Sequence, residues 1–287
     1  MPIFHTLSYF SLFSRPLTRR EFVRARWHQD TSATNSIHRH LLALSHDDIR
    51  EYHRHIVHTD QRISTAARAA RILCHVPFVR AIFLCNTVAM GAASASSDVD
   101  LFIVTKQGRL WFTRLLVTLI TAIVGMRRSK KQVSNKICLS FYVSADGLDF
   151  SDIKITNDIY LAYWLHTLRP LYDPHNLQTK LYNTNGWAKQ MISDGMRPHI
   201  ASPRITAKKS KERVKRLVET LWSSLGDQLE SQAKAIQQTK MKLNTMSVQH
   251  ESNSNVVISD TMLKFHENDR RVYYRDAWLE LCKTYAS

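Results

Sequence analysis

Two apolar runs joined by a loop of small residues are the strongest constraint on how this chain folds. The first run, FVRAIFL, covers residues 78–84, and the second, DVDLFIVT, covers residues 98–105. Both are short, rich in β-branched and aromatic residues, and bounded by turn-forming residues, which is typical of buried β-strands. The sequence therefore predicts two adjacent strands, connected through the loop GAASASS at residues 91–97.

Helical periodicity surrounds this pair of strands. Alanines and arginines at helical spacing lead up to Pro77, and the long apolar segment after the second run predicts a buried helix that ends at Gly125. Near the N-terminus, Thr18 and Glu21 have the spacing of a helix capping box, and a second helix start follows at Ser45. The expected fold class is therefore α/β (α+β), a mixed sheet with flanking helices.

The C-terminal part of the chain has the pattern of an amphipathic helix. Apolar residues recur every three or four positions between Val214 and Leu229. The opposite face is basic and is expected either to follow a phosphate backbone or to be simply solvated. That face contains Lys208, Lys209, Lys211, Arg213, Lys215 and Arg216, and the run from Arg127 to Lys131 is a second basic stretch.

The net charge restricts the kind of partner. The 287-residue chain has a formal charge of +16 and a pI near 9.9, and its basic residues are spread over several stretches. This excess suits a partner rich in phosphate, but charge alone does not choose between nucleic acid, a nucleotide and a membrane face. The sequence leaves the oligomeric state open.

Three features predict a cytoplasmic protein without a membrane span. The longest apolar run, from Leu115 to Met126, is shorter than the about 20 residues that cross a bilayer. The N-terminal charges follow the first apolar segment, which is the reverse of a secretory signal. Four widely separated cysteines favour reduced thiols over a disulfide framework.

Asp98 and Asp100, at the start of the second run, are candidates for a metal site. Strand alternation places both carboxylates on one face, about 7 Å apart along the chain, while Val99 and Leu101 face the core. Two such carboxylates can hold magnesium ions that bridge a triphosphate during in-line displacement. The alternative is a polar strand start that follows a serine-rich loop.

Residues 82–101 resemble the signature of the DNA polymerase beta-like nucleotidyltransferase superfamily. That signature is a hydrophobic strand, a Gly-Gly or Gly-Ser pair, a gap, and then Asp-hydrophobic-Asp/Glu-hydrophobic. Here the strand is IFLC, the pair is Asn86-Thr87, ten residues intervene, and the motif is Asp98-Val99-Asp100-Leu101. Other segments look like parts of bacterial nucleotidyltransferase-domain proteins: YFSLFSRPLTRREF, GRLWFTRLLVTLI, KICLSFYVS, LRPLYD and LKFHENDRR.

The resemblance implies a magnesium-dependent enzyme that moves a nucleoside monophosphate from a nucleoside triphosphate to an acceptor that it does not identify. RNA or DNA is a candidate partner because of the basic surface, not because of the resemblance. It makes Asp98 and Asp100 the magnesium ligands and Thr87 the hydroxyl donor toward the triphosphate. Further candidates for contact with the nucleotide or acceptor are Asn86, Ser97, Lys106 and Arg109.

The sequence patterns and this resemblance together divide the chain into three expected units. Residues 1–65 are expected to form a small helical or winged-helix-like unit. Residues 66–150 are expected to form the nucleotidyltransferase-like domain. Residues 151–287 are expected to form a helical region that contains the basic amphipathic helix.

Two departures from the signature support a second hypothesis. Asn86 stands where the family has glycine, although asparagine adopts a left-handed φ more readily than most residues. The strand expected to supply a third carboxylate, at residues 136–143, contains no acid, and Asp146 and Asp149 lie just beyond it. The alternative function is therefore a catalytically inactive copy of the fold that binds nucleic acid or a ribonucleoprotein through its basic surface.

Overall fold

The computed structural model describes residues 5–30, 46–192, 205, 209–242, 255–266 and 269–286. Within these ranges the chain forms one mixed sheet and eleven helices, so the expected class of a mixed sheet with helices is confirmed. None of the eleven helices combines the length and the hydrophobicity needed to cross a lipid bilayer.

The sheet has six strands in the order β4-β1-β2-β3-β6-β5. β2 pairs with β1 in antiparallel and with β3 in parallel orientation, and the outer strands add by antiparallel pairing. The first two strands confirm the pair predicted from the two apolar runs. The strands are β1 (Val79–Leu84), β2 (Val99–Thr105), β3 (Ile137–Ser144), β4 (Arg169–Tyr172), β5 (Val256–Ile258) and β6 (Met262–Phe265).

Helices cover both faces of the sheet. One core contains Phe102 of β2 and Trp278 near the C-terminus, and the other contains Leu101 of β2 and Ala233. The central strand is therefore buried on both sides. The helices are α1 (His5–Ser11), α2 (Arg19–Ala25), α3 (His46–Leu73), α4 (Asn86–Met90), α5 (Leu110–Ile123), α6 (Ile159–Thr167), α7 (Leu177–Thr184), α8 (Gly186–Met191), α9 (Lys209–Leu221), α10 (Gly226–Lys242) and α11 (Arg271–Ala286).

Local signals at helix ends are confirmed. Thr18 and Glu21 form the predicted capping box at the start of α2. Gly125 follows α5 with a φ of 66°, a left-handed conformation that glycine adopts without strain. The predicted helix start at Ser45 lies outside the described residues, and α3 begins at the next position.

The predicted boundaries between units do not coincide with breaks in the structure. α3 runs through the boundary between residues 65 and 66 as one continuous helix. Strands β4, β5 and β6 come from residues 151–287, which were expected to be helical, and join the same sheet as β1 to β3. Local periodicity did not show these strands, because three or four residues are too few to display alternation and their pairing partners are distant in sequence.

The predicted C-terminal amphipathic helix is also different in the structure. It is divided into α9 and α10 by a turn at residues 222–225, and Val214, Leu217 and Leu221 of α9 are exposed while Lys215 is buried. Of the residues expected on the basic face, Lys208 lies outside the described residues, as does the side chain of Lys209. The predicted orientation of this helix is therefore wrong.

A buried arginine holds the loop between α4 and β2. The Arg62 guanidinium, on α3, donates hydrogen bonds to the carbonyl oxygens of Ala95 at 2.7 Å and Ser97 at 2.9 Å. It also donates to the carbonyl oxygen of His58 at 3.0 Å and to Ser134 Oγ at 3.3 Å. A loop of small residues has few apolar contacts of its own, so these bonds determine its path toward β2.

Replacement of Arg62 by methionine should lower the free energy of unfolding by about 2–4 kcal/mol, because the loop loses the hydrogen bonds from a buried guanidinium that hold it to α3. Urea denaturation measures this loss. The matched control is Arg68→Met, on the exposed side of the same helix, which should change stability by no more than about 0.5 kcal/mol. Equal stability of the two variants would contradict the assigned role of Arg62.

Candidate functional site

Asp98 and Asp100 lie at the start of β2, the central strand. Val99 and Leu101 are buried in the core, so strand alternation turns the two aspartates to the opposite side. Both aspartates are partly buried. A carboxylate oxygen of each aspartate and the sulfur of Cys138 all lie within 4.8 Å of one another, which is close enough for a single cation to contact all three.

Cys138 reaches this group because β2 and β3 are parallel neighbours. The strand register places Cys138 directly beside Asp100, on the strand that was expected to supply a third carboxylate. Asp146 and Asp149 do not supply that carboxylate, because both follow the opposite end of β3. Asp146 accepts a hydrogen bond from Ser144 Oγ, and Asp149 caps its own turn.

A cation of the chain already contacts Asp98. Arg128 Nη1 donates a hydrogen bond to Asp98 Oδ2 at 2.5 Å and lies 3.7 Å from Cys138 Sγ. Arg128 is held there because the neighbouring Arg127 forms a bridge with Ile137 at the start of β3. The basic run after α5 therefore reaches the carboxylates through Arg128, a contact that helical spacing alone did not predict.

Burial and negative charge perturb the acidic groups of the site. Burial, followed by the negative charge of Asp98, raises the pKa of Asp100 to about 6, although a hydrogen bond with Asn86 acts in the opposite direction. Burial, followed by Asp100 and Asp98, raises the pKa of the Cys138 thiol, so the thiol is protonated at neutral pH. The site thus concentrates negative potential that an added cation would relieve.

Asn86 is the first residue of α4 and is separated from the end of β1 only by Cys85. Its φ of 57° confirms the expectation that asparagine accepts a left-handed conformation here. Its Oδ1 accepts a hydrogen bond from Trp164 Nε1 at 2.9 Å, and its amide bonds to Asp100. Thr87 comes next and is partly exposed at the same end of the sheet.

Three other residues, which were predicted to contact the nucleotide or acceptor, have different positions or partners in the structure. Ser97 Oγ accepts a hydrogen bond from the Ser94 amide at 2.9 Å and so stabilises its own loop. Lys106 and Arg109 follow the far end of β2, roughly 20 Å from the aspartates at about 3.3 Å per residue. Arg109 pairs with Asp227 at 2.8 Å. The structure therefore does not bring Lys106 or Arg109 to the carboxylates, because a strand carries its two ends to opposite edges of the sheet.

A cleft of about 510 Å³ opens beside the carboxylates. The cleft is lined by Asp100, Arg128 and Cys138, by aromatic side chains, and by polar residues at the end of β6 and after it. The aromatic and polar residues are Tyr160, Trp164, Tyr274, Lys264, His266, Asp269, Arg270 and Arg271.

The polar segment after β6 was given no chemical role from the sequence. His266 Nε2 lies 3.1 Å from Ser140 Oγ, and burial, followed by Lys264, lowers the pKa of His266 to about 3, so the imidazole is neutral. Lys264 and Arg271 pair with Asp269 at 2.6 and 2.9 Å. In the sequence, only the resemblance of LKFHENDRR to nucleotidyltransferase-domain proteins pointed to this segment. The segment is far along the chain from the aspartates, so no local pattern could show that it lines the same cleft as Asp100.

A larger cleft, of about 820 Å³, lies along β4 and is lined by Arg80, Tyr172, Lys215 and Glu219 among others. Several of its charged groups already bind one another or the backbone: Arg80 pairs with Glu219 at 2.7 Å, and Lys215 Nζ donates to two carbonyl oxygens. The smaller cleft beside the carboxylates is therefore the better candidate for a functional site.

Together, the fold and the site define a mixed α/β protein with a carboxylate–thiol group at the mouth of a cleft that is partly aromatic and partly basic. No known protein family, curated protein or solved structure matches the chain. The residues of the site are therefore what indicates a function for this protein.

The raised pKa of Asp100 predicts a pH-dependent stability. A carboxylate whose pKa rises from 3.8 to about 6 on folding stabilises the folded state only while it is protonated, so this stability is lost between about pH 4 and pH 6. In the presence of a chelator, Asp100→Asn should match the wild type near pH 4 and exceed its melting temperature above pH 6.

The comparison variant is Asp98→Asn, which keeps Asp100 but removes the neighbouring negative charge. It should shift the pH dependence toward lower pH without abolishing it. Parallel melting curves for the wild type and Asp100→Asn from pH 4 to pH 8 would show that Asp100 titrates normally.

Proposed function

We propose that this protein is a magnesium-dependent nucleotidyltransferase that moves a nucleoside monophosphate from a nucleoside triphosphate to an acceptor. The observation that carries the proposal is the convergence of the Asp98 and Asp100 carboxylates, of which Asp100 lines the cleft. The similarity of the motif to the DNA polymerase beta-like superfamily supports it, as does the order of strand, short helix, loop and aspartate-bearing strand.

The donor atoms of the site fit magnesium in part. Carboxylate oxygens are ligands that Mg²⁺ prefers, and water and phosphate oxygens usually complete its octahedral shell. The protonated sulfur of Cys138 is a poor ligand for a hard cation, so the expected protein ligands are Asp98 and Asp100 alone. When bound, the ion would supply charge stabilisation for the phosphates of the substrate.

Other residues have separate roles in this proposal. Asn86 and Thr87, at the start of α4, would contact the triphosphate through their amide and hydroxyl groups. Arg128 would release Asp98 when a metal binds and pair with a phosphate oxygen, for which the guanidinium is well suited. The aromatic wall at Tyr160 and Trp164 would border the base or the acceptor.

Proton removal from the acceptor is the weakest part of the site. Among the described residues, no third carboxylate lies beside Asp98 and Asp100. His266 lies in the cleft, but with a pKa of about 3 it is a weak base. The expected enzyme is therefore slower than one that has three carboxylates.

A second candidate function follows from the ion pair between Arg128 and Asp98. An internal guanidinium that neutralises a metal-ligand position, together with Cys138 in place of an acid, is also what an inactive copy of the fold would contain. In that case the protein would bind nucleic acid or a ribonucleoprotein through its basic surface.

The metal site can be tested by thermal shift. The wild type should be stabilised by ATP or GTP only when Mg²⁺ is present, and Asp98→Asn with Asp100→Asn should abolish this effect, because both metal ligands lose their charge. The control is Asp146→Asn with Asp149→Asn, which changes the same number of carboxylates at the opposite end of β3. Equal stabilisation of the wild type and the Asp98/Asp100 variant would favour the inactive module, and label transfer from a labelled triphosphate would establish catalysis.

Nucleic-acid binding should depend on the basic run beside the site. Filter binding between about 50 and 200 mM salt should show a steep loss of affinity, because phosphate contacts release counterions. Lys130→Glu with Lys131→Glu should weaken RNA or DNA binding for all sequences alike and make the salt slope shallower. The charge-matched control, Lys240→Glu with Lys242→Glu on α10, should retain most of the affinity. Absence of binding at 50 mM salt would remove nucleic acid as a partner.

A further inference from the structure

Helix α9 presents three of its apolar residues to solvent, while three of its charged residues bond to the rest of the protein. Val214, Leu217 and Leu221 are 60, 60 and 63% exposed, and Leu225 in the following turn is 53% exposed. The spacing of three and four residues places the three helical side chains in one row along α9. We call these four residues the α9 ridge.

The inner face of α9 explains this orientation. Glu212, Lys215 and Glu219 have the same spacing as the ridge residues but lie on the side that faces the sheet. Lys215 Nζ donates to the carbonyl oxygens of Cys74 at 2.9 Å and Val79 at 2.8 Å.

The two glutamates complete this polar anchor. Glu219 pairs with Arg80 at 2.7 Å and accepts a hydrogen bond from the Phe78 amide at 2.6 Å, and Glu212 accepts one from the Tyr172 hydroxyl at 2.9 Å. Rotation of the helix to bury the ridge would leave these buried partners unsatisfied. The ridge is therefore held outward by specific bonds.

Basic residues flank the α9 ridge. Arg213 and Arg216 lie on one side of it and Lys211 on the other, and all three are exposed. A row of aliphatic side chains bordered by cations is the pattern of a helix that lies in the interface of an anionic membrane. The charge of +16 adds long-range attraction to such a surface.

The charges argue against a second copy of the chain as the occupant. A symmetric contact of ridge against ridge would bring Arg213 and Arg216 close to the same residues of the partner. Four aliphatic side chains also offer much less than the about 800 Å² per partner that a stable interface buries. A nucleic acid would use the cations but leave the ridge exposed to water.

We propose that α9 is a membrane-surface anchor, in which the α9 ridge enters the headgroup region of an anionic bilayer while Lys211, Arg213 and Arg216 contact lipid phosphates. This inference does not depend on activity at the carboxylates. Insertion into a bilayer gives the apolar α9 ridge a role, whereas binding of a soluble nucleotide or a nucleic acid would leave it without one.

Co-flotation of the full chain with vesicles tests the anchor. The wild type should bind phosphatidylcholine vesicles that contain phosphatidylglycerol, and should bind pure phosphatidylcholine vesicles much more weakly. Leu217→Ser with Leu221→Ser should lower the affinity for anionic vesicles at least about tenfold, because apolar area can no longer be buried in the bilayer. Since both leucines are exposed, the melting temperature of this variant should equal that of the wild type.

The matched control is Thr220→Ala with Ser223→Ala, two exposed positions beside the ridge, which should bind like the wild type. Arg213→Glu with Arg216→Glu should reduce binding to anionic vesicles and leave the weak binding to neutral vesicles unchanged. The proposal is overturned if the wild type does not bind anionic vesicles, or if the serine variant binds as well as the control. It is also overturned if light scattering shows that the serine variant instead dissociates a dimer, since the ridge would then be an interface between copies.

Discussion

The burial of β2 on both faces is the constraint on which the rest of the structure depends. Phe102 belongs to one core and Leu101 to the other, so helices must cover both sides of the sheet. A strand of this kind can carry polar groups only at its ends. The aspartates lie at its beginning, where β1 leads into α4 and where β3 starts beside it, and a cleft opens at that edge of the sheet.

Charge balance at this edge is maintained by residues that are distant in sequence. Arg128 neutralises Asp98, while Asp100 and Cys138 respond to burial with raised pKa values. These are the responses expected when acidic groups are gathered in a partly buried place without enough positive charge. The same arrangement is compatible with a metal site in which Arg128 releases Asp98, and with an inactive copy of the fold in which Arg128 stays paired with Asp98. A metal-dependent measurement therefore distinguishes the two functions.

Buried cations recur as structural elements in this basic protein. Arg62 holds the loop before the aspartates, Lys215 anchors α9, and Arg169 donates to the carbonyl oxygen of Ala89 at 2.6 Å. Each cation binds backbone carbonyl oxygens rather than only carboxylates. Part of the excess positive charge therefore stabilises the fold, and counting lysines and arginines overestimates the charge that is free to contact a partner.

The sequence by itself determined the local features: the strands at β1 and β2, the capping box of α2, the glycine after α5 and the shared face of Asp98 and Asp100. Each depends on neighbouring residues and their periodicity, which the sequence contains directly. Only the tertiary structure decided which distant groups meet them. The parallel pairing of β3 brought Cys138 and Arg128 to the aspartates, the segment after β6 completed the cleft, and the length of β2 separated Lys106 and Arg109 from it. The tertiary structure also decided the orientation of α9. A helix turns its polar face inward only where that face can bond to partners in the protein, and here those partners include Arg80 and the Cys74 carbonyl oxygen.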